Sequence, residues 1–326
     1  MEVGDPSGHE YLSELCFPQL NTSCKKHIRP HMETMLMYIV LSSVSLLTVS
    51  LNLLVIISIS HFRQLHTPTN LLLLSLAVAD FLVGLLVMPF QILLTEPCWF
   101  LGDLVCVLFY LLPCITLLAS ILNMVLISVD RYVAICDPLR YPTKITQKRV
   151  QIFVVLCWIY AVFYSFLLLY DNLKQPGRYN SCYGECVINY NGAVDIVLFF
   201  ILPISVIIIL YMRVFVVAVS QARAMCSHIA AVTLQCSVTV NVKKSEMKAA
   251  RTLGVLVAVF LMCYCPYYCV TLSGYDIMIS SSSTVFVLFL AYFNSCLNPV
   301  IYAFLYPWFR KSVKLIVTLE ILQPNS

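Results

Sequence analysis

Two carboxylates of this chain stand where water is scarce. Asp80, in LAVAD, and Asp195, in GAVDIVLFF, each lie inside a long apolar run. A charge in such a setting needs a partner, because desolvating it costs of order several kcal/mol. Asp80 has Asn52, Ser120, Asn294, Ser295 and Asn298 at the middle of other apolar runs. Those groups predict either helix–helix hydrogen bonding or a polar network linked to a sodium ion or a proton. Asp195 precedes Pro203 by eight residues, which is about 12 Å up an α-helix at 1.5 Å per residue. It reads either as an acid near a helix start satisfied by Ser or Tyr hydroxyls, or as the counter-ion of a bound cation. The third charged feature is Asp130 beside Arg131, directly after the uncharged run Leu104–Val129. An ion pair at that depth is partly desolvated and biases two packings by about 1–3 kcal/mol; the plainer reading is an interfacial anchor.

None of this is catalysis. The chain has no nucleophile–base pair and no Cys/His spacing suited to a structural metal, so an enzyme is not expected. A formal charge of +4 is too small to suggest nucleic acid.

The elements that position these residues follow from composition. Of 326 residues, 60% are hydrophobic and 11% charged, with a mean hydropathy of +0.88; soluble domains carry about 25% charged residues. The bilayer is the expected solvent. A hydrocarbon core about 30 Å thick needs about 20 apolar helical residues. Runs of that kind occur seven times: Thr34–Ser60, Asn70–Thr95, Leu104–Val129, Val150–Tyr170, Asn191–Met212, Thr252–Tyr275 and Ile277–Phe309. The last is too long for one crossing, and its helix is expected to end near Tyr306–Pro307. Barrel strands would show short alternating segments instead. The expected fold is all-α: a seven-transmembrane helix bundle over residues 34–306, after an N-terminal segment 1–33 and before an amphipathic eighth helix and tail, 307–326.

Segments 61–69, 130–149, 213–251 and 310–326 hold 15 of the 20 Lys and Arg residues. The positive-inside bias then puts the C-terminus in the cytoplasm and the N-terminus outside. Residues 1–33 have no apolar core, so the first span is expected to act as the insertion signal. Cys16, Cys24, Cys98, Cys106, Cys182 and Cys186 all fall on the outer side, where disulfides persist; counting alone leaves many pairings open. The sequon at Asn21 shares that side and is a candidate glycan acceptor. Cys114, Cys157, Cys263, Cys265, Cys269 and Cys296 lie in spans and read as small hydrophobes. Prolines at 203, 266 and 299 interrupt the later helices and permit kinks. Ile277–Phe309 contains no lysine for a retinal Schiff base, and no internal repeat of the transporter kind is evident. Pump, opsin and transporter readings fall away.

The ordered set LAVAD, DRYVAICDPLRYP, the CW at 157–158, Pro203, FLMCYCP and NPVIY resembles the rhodopsin-like G-protein-coupled receptors across roughly residues 30–318. The resemblance implies that Arg131 meets the G protein when the bundle opens and that it pairs at rest with Asp130 and with Glu246, in KKSEMKAAR. It implies a packing switch at Ile121, Pro203 and Phe260, and inward-swinging tyrosines at Tyr211 and Tyr302, with Asn298 and Pro299 in the NPVIY motif. A narrower resemblance lies in NSCLNPVIYAFLYPWFRKSVK, ELCFPQLNTSCKK, EPCWFLGDLVC and CYGEC, which are similar to the trace amine-associated receptors. That family implies the disulfides Cys106–Cys186, Cys16–Cys182 and Cys24–Cys98. It also implies a small amine as ligand, a trace or odorant amine, a plasma-membrane location, and a G protein of the stimulatory class that raises cyclic AMP.

One departure stands out. Aminergic receptors usually hold the ammonium with an aspartate on the third helix, where this chain has Pro113. Proline can neither pair with a cation nor donate a backbone hydrogen bond. Fish-type members of the family are similar in carrying the pocket aspartate on the fifth helix, as Asp195 does here. The family geometry implies a pocket lined by Tyr110, Cys114 and Leu117, by Tyr264, Tyr267, Tyr268 and Thr271, and by Leu288 and Tyr292. Each tyrosine reads equally as packing or as a face for an ammonium. A single pocket acid favours a monoamine, although Asp276 near the mouth offers a second site. Tyr264 stands where the family commonly has a tryptophan. The alternative is a receptor for a ligand that is not an amine, with Asp195 satisfied internally.

Overall fold

The computed structural model describes residues 15–26, 31–94, 96–190, 192–229, 254–270 and 282–318. Within them the apolar runs form α1 (His31–His61), α2 (Pro68–Leu94), α3 (Asp103–Cys136) and α4 (Gln147–Leu168). A fifth helix, α5, comprises Gly192–Asp195, a π-helical turn at Ile196–Ile201 and Leu202–Ile229. Then come α6 (Gly254–Val270), α7 (Ser282–Leu305) and α8 (Pro307–Val317). Among the described residues six helices are long and apolar enough to cross a membrane, and α6 is a shorter apolar one. Strand pairing there is confined to two isolated bridges. The architecture is an all-α bundle.

Local chemistry sets the helix starts. The Thr67 side chain accepts from the Asn70 N–H ahead of Pro68 at the first position of α2, and Thr146 does the same for Arg149 at α4. Gly102 precedes α3 with φ 84°, a conformation that favours glycine, and its carbonyl accepts from the Trp99 indole at 2.8 Å. The end of α7 is capped from α8, where the Arg310 guanidinium donates to the Ala303 and Phe304 carbonyls at 3.0 Å each. On α8, Phe309 and Ser312 are buried while Arg310, Lys311 and Lys314 are exposed, which makes that helix two-faced.

Helix α3 is the hub and packs against α2, α4 and α5. One core cluster runs through Val55, Leu73, Ile121, Ile207, Phe260 and Tyr302, drawing on α1, α2, α3, α5, α6 and α7. Trp158 on α4 donates its indole N–H to Ser75 on α2 at 3.0 Å. The outward faces of α4 and α5 present Ile152, Phe153, Phe163, Ile209 and Val216 to their surroundings. Apolar faces of that extent belong in lipid.

At one end three disulfides tie the loops together, and two of them correct the expected pairing. The structure joins Cys106 to Cys186, and it joins Cys16 to Cys98 and Cys24 to Cys182 in place of Cys16–Cys182 and Cys24–Cys98. The reason is backbone register. Leu15 bridges Lys25, and the Cys16 N–H donates to the Cys24 carbonyl at 2.8 Å, so the two N-terminal cysteines face each other across a tight turn. Ser23 bridges Tyr183, with Cys24 N–H to Tyr183 O at 3.0 Å and Tyr183 N–H to Thr22 O at 2.8 Å. That sets Cys24 beside Cys182, at a Cα separation of 5.1 Å, and leaves Cys16 against Cys98, at 5.6 Å. Both lie inside the range a disulfide spans. Phe17 packs edge-on to Tyr183 over the junction. Asn21 is exposed on the same turn.

Candidate functional site

Asp195 lies where α5 passes from its first α-helical residues into the π turn, and it is partly buried. A π turn carries an extra residue and re-aims the side chains around it; such turns recur at functional sites. The Asp195 carboxylate comes within electrostatic reach of Cys114 on α3, Tyr164 on α4, Tyr190 just before α5 and Tyr268 on α6. Tyr268 is 1% exposed, stacks on Phe200 with ring centroids 4.0 Å apart, and its hydroxyl has no hydrogen-bond partner. Tyr190 keeps 36% of its surface exposed, but its hydroxyl is enclosed and hydrogen-bonded to Tyr267. Burial, and after it the Asp195 charge, pushes the Tyr190 phenol up to about 12.

The remaining wall continues toward α7. Tyr110 lies close to Tyr292 and Tyr190, and Tyr292 donates to the Gln91 side-chain carbonyl on α2 at 3.0 Å. Leu117 packs against the core cluster that contains Tyr264 and Tyr268. Leu288 is half-buried on α7, one turn before Tyr292. Thr271 and Asp276 lie outside the described residues. Pro113 lies inside α3, where it deprives the Phe109 carbonyl of its intrahelical donor. Sequence reasoning missed Gln91, Tyr164, Tyr190 and Phe200. Gln91 was legible as a polar residue ending an apolar run, whereas Tyr190 lies outside any span.

Asp80 is fully buried, and Asn298 donates to its Oδ2 at 2.7 Å with Ser295 also in hydrogen-bonding range. Asp80 Oδ1, Asn294 Oδ1 and Asn52 Oδ1 are buried oxygens without a partner. The Asn52 amide donates to the Thr48 and Ser295 carbonyls at 2.9 and 3.0 Å. Ser120 is buried on the neighbouring α3. Carboxylate and amide oxygens of this kind are the ligand type that a small hard cation takes.

The Asp130–Arg131 end is more closely knit than the sequence suggests. Arg131 is ion-paired to Asp130, and its Nε donates to Asp130 Oδ2 at 2.9 Å. Thr69 on α2 donates to Asp130 Oδ2 at 2.9 Å and also contacts Arg131. Tyr141 donates to Asp130 Oδ1 at 2.8 Å. Tyr306 lies within electrostatic reach of the Arg131 guanidinium. Burial, and then the Asp130 charge, raises the Tyr141 phenol above its ordinary value. Ile121 and Phe260 share one core cluster with Tyr302, Pro203 is buried on α5, and the Tyr302 hydroxyl has no partner. Tyr211 abuts Gly254. Glu246 lies outside the described residues.

A seven-helix bundle with an ion pair at one end of α3 and a polar pocket toward the other is the plan of a membrane receptor. Residues 51–302 match the family model for the 7 transmembrane receptor (rhodopsin family). The chain is 41% identical to Trace amine-associated receptor 13c of Danio rerio, covering 99% of this chain and 97% of that one. It is 40% identical to Trace amine-associated receptor 8a of Rattus norvegicus over 96% of this chain and 95% of that one. It is 36% identical to Trace amine-associated receptor 4 of Mus musculus over 96% and 94%. The chain belongs to the trace amine-associated receptor family, within the rhodopsin-like G-protein-coupled receptors. It is a multi-pass membrane receptor and not an enzyme.

Proposed function

We propose that this receptor binds a small amine with its ammonium on Asp195 and answers by activating a G protein of the stimulatory class, raising cyclic AMP. The observation that carries the reading is that Asp195 stands within electrostatic reach of the buried, partnerless hydroxyl of Tyr268. A carboxylate supplies the charge that restores an ammonium's lost hydration, and a free phenol oxygen accepts a further N–H. Pro113 occupies the position on α3 where an acid would face the pocket, and Asp80 lies deep in the core. The stacked rings of Phe200 and Tyr268 add a face for the cation. The disulfide end, with Asn21 as glycan acceptor, faces the extracellular side, and the Arg131 end faces the cytoplasm, in keeping with the distribution of Lys and Arg. A sodium ion held by the network of Asp80, Ser120, Asn294, Ser295 and Asn298 stabilises the resting bundle.

Asp195→Asn keeps the shape and removes the charge. Amine potency is expected to fall at least about tenfold, or 1.4 kcal/mol. Wild-type potency in Asp195→Asn at normal surface expression would overturn the reading. A neutral ligand is the second reading, favoured by the Tyr164 and Tyr190 hydroxyls, which stand within electrostatic reach of Asp195. Under it, neutral analogues activate as well as amines do, and Asp195→Asn lowers expression rather than potency.

A further inference from the structure

We infer that the Tyr292–Gln91 pair forms a second subsite that reads the far end of the ligand, selecting a monoamine with a neutral hydrogen-bonding tail over a diamine. The inference rests on the amine reading of Asp195. Tyr292 of α7 and Gln91 of α2 are joined across the bundle by a 3.0 Å hydrogen bond from the phenol to the amide oxygen. Cys114 on α3 lies within electrostatic reach of both Tyr292 and Asp195, so the acid and the pair share a neighbour in the bundle. Polar groups thus cross the pocket from α5 through α3 to α7 and α2, with a carboxylate at one end and neutral groups at the other.

The chemistry at the neutral end is defined. The Tyr292 proton goes to Gln91 Oε1, which leaves the phenol oxygen as an acceptor and the Gln91 amide as a donor of two N–H groups. A hydroxyl, ether or carbonyl oxygen finds a match for each of its roles there. A methyl-ended tail leaves the pair bonded to itself at little gain or loss. A second ammonium would lose its hydration and meet only dipoles, and dipoles do not replace a counter-ion for a desolvated charge. The order of affinity is therefore amino alcohol, then alkylamine, then diamine.

The test uses the purified full-length receptor and its thermal stabilisation by three straight-chain ligands of matched length, an amino alcohol, an alkylamine and an α,ω-diamine, repeated over increasing chain length. The amino alcohol of best-fitting length is expected to bind at least about fivefold tighter than its alkylamine, with the diamine weakest. The double variant Gln91→Leu with Tyr292→Phe erases that advantage, so that it binds amino alcohol and alkylamine alike to within about twofold. Gln91→Glu supplies the missing carboxylate and raises diamine affinity at least about tenfold. Equal binding of amino alcohol and alkylamine by the wild type, a preference for the diamine, or a Gln91→Glu receptor indifferent to it overturns the inference. Asp195→Asn tells the two failures apart. If it removes binding of all three ligands while the wild type shows no tail preference, this inference alone fails. If it binds all three normally, the amine reading itself is wrong.

Discussion

The hydroxyl of Tyr211 on α5 occupies the space that a β-carbon on Gly254 of α6 would need, with its ring carbons close behind. Only glycine admits that approach. Arg131 is held by Asp130, the arrangement the family resemblance gives for the resting bundle, and we assign the Tyr211–Gly254 contact to that closed packing. Gly254→Ala drives the tyrosine tip off α6, and because that tip is the far end of a flexible side chain the fold survives. We expect higher basal signalling at equal surface expression, since the closed packing loses a contact that the open one lacks. Basal activity at or below wild type would contradict this.

Asp130 is restrained from two elements outside α3, by Thr69 and by Tyr141. Each hydrogen bond contributes about 1 kcal/mol, so Thr69→Ala or Tyr141→Phe should shift the closed-to-open ratio about fivefold toward open and raise basal signalling accordingly. Thr69→Ser keeps the hydroxyl and should behave as wild type. The pH dependence has a definite sign. Tyr141 donates only while protonated, and its phenol is raised above 10.0 in the folded chain. Its contribution is therefore fully present below that value and is lost only as pH rises through the raised one. Basal signalling of wild type and Tyr141→Phe should differ by a constant factor across the neutral range; a gap that closes between mildly acidic and mildly basic pH would count against the assignment.

The helices were legible because membrane spans advertise themselves by what they lack. Leu104–Val129 has no charge, and α3 encloses it. The rest depends on registers that leave no trace in composition. The π turns at Val83–Val87 and Ile196–Ile201 look like ordinary apolar sequence, yet the second lies between Asp195 and Pro203 and alters the face the acid presents. Thr69 and Tyr141 reach Asp130 from separate segments, 61 and 11 residues away, and helical periodicity says nothing of them. Cysteine spacing was equally silent: the pairing turned on which backbone groups of residues 22–24 meet Tyr183.

That register makes a chemical prediction. Peptide mapping without reduction should recover Cys16–Cys98 and Cys24–Cys182, and no Cys16–Cys182 peptide. Removing Cys16 together with Cys98 should lower thermal stability by less than the roughly 4–5 kcal/mol that loop entropy alone assigns to such a bond. Trp99 N–H still donates to Gly184 O at 2.8 Å, so the first loop stays docked on the second. Ligand response should persist in that variant. Loss of surface expression equal to that of a Cys186→Ala receptor would show that the two bonds are not ranked as the structure implies.

Tyr264 connects the pocket to the buried polar network. Its ring packs on Phe260 with centroids 4.7 Å apart, its hydroxyl lies within hydrogen-bonding range of the Asn294 side chain, and the Asp80 carboxylate is close enough to act on it electrostatically. The side chain is 7% exposed, and the space around it is filled by the core cluster. Tyr264→Phe keeps the ring and its packing but withdraws the hydroxyl from Asn294, whose Oδ1 already lacks a partner. An unmade hydrogen bond at a buried group costs about 1–3 kcal/mol, and here the cost falls between two networks rather than at the ligand. Ligand affinity should therefore stay within about twofold of wild type, while the maximal response falls or the basal level shifts. Tyr264→Trp adds volume to a filled core, where overpacking costs about 1–3 kcal/mol, and should lower stability first. Should Tyr264→Phe weaken ligand binding about tenfold and leave the maximal response intact, the hydroxyl contacts the ligand rather than Asn294, and the connection to Asp80 does not exist.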